Sequence, residues 1–275
     1  VTATPDRGDM KNLGNVFESL AYEYTLPRAI KEGYLSPIKA ITIPLKVDLS
    51  GVGVQSGDFK LGDLGTALDP YLREIAEEMK KYCMDKKTVV FLPLVKTSQK
   101  FRDILNENGF CAAEVNGESQ DRAEILQDFE AGRYNVLCNS MLLTEGWDCP
   151  SVDCVVVLRP TKVRSLYSQM VGRGTRLHPG KDHLLLLDFL WHTERHELCH
   201  PADLVCENSE VTWKMTQNLE DSAGVPLDLM EAENRASEDV VAQREEALAK
   251  QLDAMKKRKQ KLVDPLQFEI SIQAE

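Results

Sequence analysis

The chain is 275 residues long, 43% hydrophobic and 28% charged, which suits a soluble globular protein of one large domain or two modest ones. Its formal net charge of -11 excludes a nucleic-acid binder that works by diffuse basic charge, though not a narrow groove that meets a few phosphates. Seven scattered cysteines fit a reducing compartment, no stretch reads as a signal peptide, and the longest apolar run, around Leu184 to Trp191, is interrupted by Asp188, so a cytoplasmic, membrane-free protein is expected.

In chain order, Val1-Thr2-Ala3-Thr4-Pro5 reads as the exit of a buried strand with no lead-in, and the chain is therefore expected to be the C-terminal part of a longer protein. Leu26 to Glu32 reads as a helix stopped at Gly33, and Ile41 to Val47 alternates as a strand does. Ser50 to Gly65 holds five glycines and is expected to be a loop or flexible insertion. Asp69-Pro70 then opens a helix that runs to about Cys83.

From Lys87 the pattern becomes regular. Thr88-Val89-Val90-Phe91-Leu92 is a β-branched run suited to a strand buried on both faces. The helix Thr97 to Asn108 ends at Gly109, and the strand Cys111 to Val115 follows. A helix from Gln120 to Ala131 closes at Gly132 before the strand Tyr134 to Cys138. Val152 to Leu158 and Leu184 to Leu187 are two more strands, with the helix Ser165 to Val171 between them. Alternation at this spacing predicts a doubly wound α/β fold with a parallel sheet covered on both faces. After about Pro201 strands are no longer expected. Glu231 to Leu262 reads as a long charged helix, acidic at its start and basic at Lys256 to Lys261. Val241, Leu248, Met255 and Leu262 stand at seven-residue spacing, but one apolar position per heptad does not make a coiled coil, so the helix is expected to lie along a domain surface.

Three segments carry chemistry. In Gln169-Met170-Val171-Gly172-Arg173-Gly174-Thr175-Arg176 the two arginines lie one helical turn apart, so their planar forks can converge on one phosphate, with the glycines keeping bulk away. Ser140 to Pro150 contains Thr144-Glu145-Gly146-Trp147-Asp148, where Gly146 permits close approach and Asp148 offers a carboxylate to a ribose hydroxyl. Lys96-Thr97-Ser98 opens a helix, where amides and hydroxyls suit a phosphate backbone. All three are expected beyond the carboxyl ends of the strands, where doubly wound sheets bind ligands. Taken singly, each segment is equally well explained as a turn, a helix cap or a solvated basic loop.

The order of these segments resembles the second RecA-like domain of superfamily-two helicases and translocases, preceded by the end of the first. Thr2-Ala3-Thr4-Pro5 is similar to that family's third motif, Val89 to Leu92 to its fourth, Thr144 to Asp148 to its fifth, and Gln169 to Arg176 to its sixth. Asn116-Gly117-Glu118 with Gln120, Arg122 and Phe129 resembles the segment between the fourth and fifth. The T-A-T-P and E-G-W-D variants resemble DNA-directed members, including motor subunits of restriction enzymes and phage or bacterial helicases. The resemblance implies a RecA-like sheet with a helical C-terminal extension. The first RecA-like domain would end near residue 36, the second would span 37–200 with the insertion at about 50–65, and the extension would span 201–275.

It further implies that Arg173 and Arg176 act as arginine fingers on ATP. Gly146, Asp148 and Gln169 would then meet the nucleotide, and Thr97, Ser140 and Thr144 the nucleic-acid backbone. Thr2 and Thr4 would couple the domains. The implied partners are DNA, with RNA not excluded, the protein's own N-terminal RecA-like domain, and a possible partner subunit bound by the C-terminal helix. No G-x-x-x-x-G-K-[ST] or acidic Mg²⁺ box is present, and Gly51-Val52-Gly53 does not supply one, since Ser56 stands where a further glycine is required. ATP and Mg²⁺ would therefore be held mainly by a separate domain, and these residues alone are expected not to hydrolyse ATP.

His192, His196, Cys199, His200 and Cys206 cluster in sequence, but no pair has a familiar finger spacing, so no zinc site is assigned. Two alternatives stand beside the motor reading: a motor subunit of a restriction or defence nuclease, and a RecA-like scaffold that binds a partner without hydrolysing ATP.

Overall fold

The chain is described by a computed structural model, which places residues 22–140, 143, 147–192 and 198–262. The β-branched runs form the middle of a sheet, as their composition predicts. Strands β1 (Ile38–Asp48), β4 (Thr88–Phe91), β5 (Ala112–Val115), β6 (Val136–Asn139), β7 (Cys154–Val157) and β8 (Leu184–His192) join the two-residue β9 (Leu227–Asp228) in the order β5-β6-β4-β7-β8-β1-β9. The pairings from β5 through to β1 are all parallel, and β9 closes the β1 edge antiparallel. The chain order reverses at β4, which has β6 on one side and β7 on the other.

Both faces are covered. Helices α2 (Leu61–Leu68), α3 (Leu72–Cys83) and α4 (Val95–Glu107) bury Leu64, Leu68, Ile75, Met79, Phe101 and Leu105 against Val90, Val156 and Leu187 of one face. Helices α5 (Arg122–Glu130), α6 (Arg164–Gly172), α7 (Ser209–Asp221) and α8 (Leu229–Leu262) cover the other, where Phe129, Tyr167, Met170, Met215 and Leu229 meet Val89, Phe91 and Val155. Each fully buried side chain of this size stabilises the fold by about 1.5–3 kcal/mol. The predicted stops hold at α1 (Leu26–Lys31), α4 and α5: Gly33, Gly109 and Gly132 follow with φ of +76°, +88° and +81°, values that favour glycine.

Two expectations need correction. The glycine-rich insertion is built into the fold. It forms a hairpin, β2 (Val54–Gln55) and β3 (Asp58–Phe59), turned by Ser56 and Gly57 at φ of +52° and +84°, followed by α2. Residues beyond Pro201 add a strand, β9, and helices that complete the core. Helix α8 seats itself through Leu229, Ala232, Ala236 and Val240, spaced three or four apart. The heptad positions Val241, Leu248 and Met255 are 55%, 57% and 61% exposed. Among the described residues no helix is long and apolar enough to cross a membrane.

Candidate functional site

The parallel sheet has two edges, and the candidate residues divide between them. Helix α6 leaves the carboxyl end of β7 and runs back antiparallel to the strands, so its last turn arrives where β8 and β1 begin. There the Ser36 amide donates to the Thr175 carbonyl at 2.8 Å, and the Leu184 amide to the Pro37 carbonyl at 2.8 Å. The two-arginine turn therefore lies at the amino edge, which corrects the expectation that all three segments gather at the carboxyl edge. The reason is geometric: order along the chain fixes sequence spacing, but a crossover helix changes edges over its length.

Arg173 is the C-cap of α6, with φ -61° and ψ -32°. Beyond it the chain tightens: the Gly174 amide donates to the Val171 carbonyl at 3.0 Å and the Thr175 hydroxyl to the Gly172 carbonyl at 2.9 Å. Arg173 Nη1 donates to the Trp147 carbonyl at 2.6 Å, and Arg176 Nε lies 3.4 Å from Asp148 Oδ1. Both arginines thus reach the same short segment, carried to this edge by the crossover from β6 to β7. Trp147 is anchored there by its ring, 6.1 Å from that of Phe129. Gln169 lies one turn before Arg173 on α6.

Two residues without a motif hold this turn. Ser36, fully buried, donates its hydroxyl to the Arg176 carbonyl at 3.0 Å. Lys181 Nζ donates to the Gly174 carbonyl and, at 2.9 Å, to the Arg176 carbonyl. Burial pushes the Lys181 ammonium down to about 8, with Asp153 opposing the shift. Because both act on backbone carbonyls, no side-chain pattern signals them. Gly174 also has a different task from the one read in sequence. A Cβ there would stand 2.4 Å from Leu184 Cδ1 and 2.9 Å from Val155 Cγ2, so this glycine lets the turn dock under the sheet. At Gly172, among the described residues, nothing lies within 4 Å of such an atom.

The carboxyl edge holds Thr97, Ser98 and Ser140. Ser140 follows β6 and its hydroxyl donates to the Pro93 carbonyl at 3.4 Å. Helix α4 begins at Val95, with Leu94 as N-cap, so Thr97 and Ser98 sit inside its first turn, both buried. Helix α2 covers Thr97: its Oγ1 lies 3.1 Å from where a Cβ of Gly65 would be. After β7, Asp58 of the β2–β3 hairpin accepts from the Thr161 hydroxyl at 2.7 Å and from the Lys162 amide at 3.0 Å. Thr2, Thr4, Thr144 and Gly146 lie outside the described residues, as does His196.

Two residues of the Cys/His cluster have side-chain neighbours outside it. Cys206 Sγ is 3.5 Å from Met215 Sδ, and His200 Nδ1 is 3.8 Å from Asp188 Oδ2. Burial alone would lower the His200 imidazole, but the carboxylates of Asp188, Asp203 and Glu220 outweigh it and hold the group raised.

Residues 71–178 match the helicase conserved C-terminal domain family. The chain is 33% identical over 198 residues to a Saccharomyces cerevisiae protein named as the ATP-dependent helicase IRC3, a match covering 69% of the chain and 28% of that protein. A Schizosaccharomyces pombe protein named as a mitochondrial ATP-dependent helicase is 33% identical over 209 residues, covering 69% of the chain and 32% of that protein. The chain thus spans less than a third of the length of these two curated relatives. Among solved structures, a fragment named as an HsdR subunit of a type I restriction enzyme from Vibrio vulnificus YJ016 has a TM-score of 0.55 at 27% identity, covering 69% of the chain and 38% of that fragment.

Proposed function

Because the chain belongs to the helicase family as a C-terminal part carrying its conserved C-terminal domain, we propose that it forms one wall of the ATP site of a nucleic-acid motor, with Arg173 and Arg176 meeting the γ-phosphate. The observation that carries this reading is the construction of the arginine turn. Its backbone is fixed at three successive carbonyls, by Ser36 and Lys181, while the guanidinium of Arg176 is half exposed and paired with the equally exposed Asp148. An exposed pair of this kind is worth about 0–1 kcal/mol, so a polyphosphate can take the place of the carboxylate. Asp148 is then released beside the nucleotide, where it and Gln169 would contact ATP together with Gly146. ATP supplies the phosphoanhydride bond whose cleavage drives movement; the residues of this chain place positive charge where negative charge develops.

In this reading Ser140, Thr97 and Thr144 meet the nucleic-acid backbone at the opposite edge, and Thr2 and Thr4 link domain closure to it. The RecA-like domain begins near residue 37, and the extension from residue 201 is built onto the same sheet. Mg²⁺ and most of the nucleotide are held by a Walker-type domain, whose motifs these 275 residues lack, so the chain alone does not turn over ATP. DNA is the favoured track, supported by the likeness to the restriction-enzyme subunit. That likeness also supports a second reading, in which the motor feeds a restriction nuclease. The exposed face of α8 beyond Val240 is available to a partner subunit. The seven cysteines carry free thiols, in keeping with a reducing interior such as the cytoplasm, and the name of the fission-yeast relative adds the mitochondrion.

The test is single-strand-stimulated ATPase of the full-length protein. Arg173→Ala should lower turnover about a thousandfold or more. Unchanged turnover would overturn the finger assignment, and robust ATPase from these 275 residues alone would overturn their dependence on a second domain.

A further inference from the structure

The β2–β3 hairpin carries a carboxylate into an arrangement of donors suited to a phosphate. Asp58 Oδ2 accepts from the Thr161 hydroxyl at 2.7 Å, and Oδ1 accepts from the backbone amide of Lys162 at 3.0 Å. Arg159 Nη2 stands 4.0 Å from the same Oδ2. Arg159 is only 6% exposed, and its Nε and Nη1 are buried with no hydrogen-bond partner among the described residues. A hydroxyl, a backbone N–H and a guanidinium converging on one point form the donor set that fixes phosphodiester oxygens. A single carboxylate, planar and held 4.0 Å away, leaves that guanidinium under-used. Burying a charge so poorly paired is costly unless another state satisfies it.

The position agrees with the chemistry. Arg159 to Lys162 leave the carboxyl end of β7, next to the exit of β4 and two strands from Ser140 at the exit of β6. At roughly 4.8 Å per strand, Arg159 and Ser140 lie about 10 Å apart along one edge, within reach of one extended nucleic-acid strand. The same insertion shields Thr97 through α2. Its hairpin is lightly built: each strand has two residues, Val54 to Gly57 are exposed, and Phe59 is its buried anchor, with Lys162 Nζ 5.5 Å from the ring centroid. An isolated hairpin of this kind is marginally stable.

We propose that Thr161, the Lys162 amide and Arg159 form a binding site for a phosphodiester group of the nucleic-acid strand, and that Asp58 occupies it as an internal stand-in until the strand displaces the hairpin. The inference rests on reading the chain as part of a nucleic-acid motor, but its test is separate from that of the arginine turn.

Fluorescence anisotropy of a labelled single-stranded oligo-dT is measured at low salt with the wild-type chain, Asp58→Asn, Thr161→Val and the double variant. Hydrogen exchange across residues 52–60 is followed with and without the oligonucleotide. Asp58→Asn should tighten binding about fivefold or more, Thr161→Val should remove that gain in the double variant, and the oligonucleotide should speed hairpin exchange in the wild type. Equal affinity of wild type and Asp58→Asn, absence of binding by both, or a gain that survives Thr161→Val overturns the proposal whatever Arg173→Ala shows. Hairpin release by inorganic phosphate but not by oligonucleotide also overturns it, because the site would then be one for a free anion. If Asp58→Asn does not fold, Phe59→Ser loosens the hairpin without removing a donor and carries the same expectation. A gain in affinity alongside unchanged ATPase of Arg173→Ala would uphold this site and sink the finger assignment alone.

Discussion

The two edges of the sheet use the same cation in opposite ways. At the amino edge the guanidinium of Arg176 is open, and rigidity lies beneath it, in backbone carbonyls bound by Ser36 and Lys181. At the carboxyl edge Arg159 is buried, and what lies over it is a hairpin of two-residue strands. A cation can therefore be readied for a phosphate by fixing the chain below it or by keeping it under a removable cover. The first arrangement suits a group whose position must be accurate when charge develops. The second suits a group that should engage only when a strand is present.

Substitutions at the two edges should separate these designs. Gly174→Val forces a side chain into Leu184 and Val155 and should cost about 3 kcal/mol, whereas Gly51→Ala, with open space around it, should stay within about 0.5 kcal/mol; urea unfolding measures both. Comparable losses would show that the insertion is as tightly built as the turn. Next in size, Ser36→Ala and Lys181→Met should each cost about 1 kcal/mol and speed amide exchange over residues 172–176, without touching the hairpin. The smallest effect concerns pH. The folded His200 is held above its ordinary 6.5 by Asp188, Asp203 and Glu220 in spite of burial, so its contribution to stability is complete below 6.5 and is lost as pH rises through the raised value. The melting temperature of the wild type should therefore fall from pH 5.5 to 8.5 by more than that of His200→Gln. Parallel curves would remove His200 from the stability balance.

Much of this layout was legible from residue types. Val89, Val90, Val155 and Val156 announced buried parallel strands, and Gly33, Gly109 and Gly132 stand at helix ends with positive φ. The pairing of Arg173 with Arg176 was visible as spacing. Its edge was not, because α6 carries the turn across the depth of the sheet. Glycine density hid the insertion: Gly57 makes the hairpin turn and Gly65 lets α2 lie against α4, so residues that signal a loop serve close packing. Strand β9, with two residues, is too short to show a period. On α8 the heptad of Val241, Leu248 and Met255 was conspicuous, yet the buried seam starts twelve residues earlier at Leu229 and ends at Val240, one position from the heptad. Ser36 and Lys181 left no trace, since the partners they grip are main-chain oxygens common to every residue.

Helix α8 has a mechanical consequence. Its first part is rooted in the core, and through Arg244 and Glu210 it stays beside α7. From Leu248 to Leu262 it continues for fifteen residues, about 22 Å. A rotation of the domain by some 10° would sweep the far end of that length through about 4 Å. The helix is thus a pointer fixed at its base, and a fluorophore near its tip would report small tilts of the domain as displacements large enough to read by distance spectroscopy.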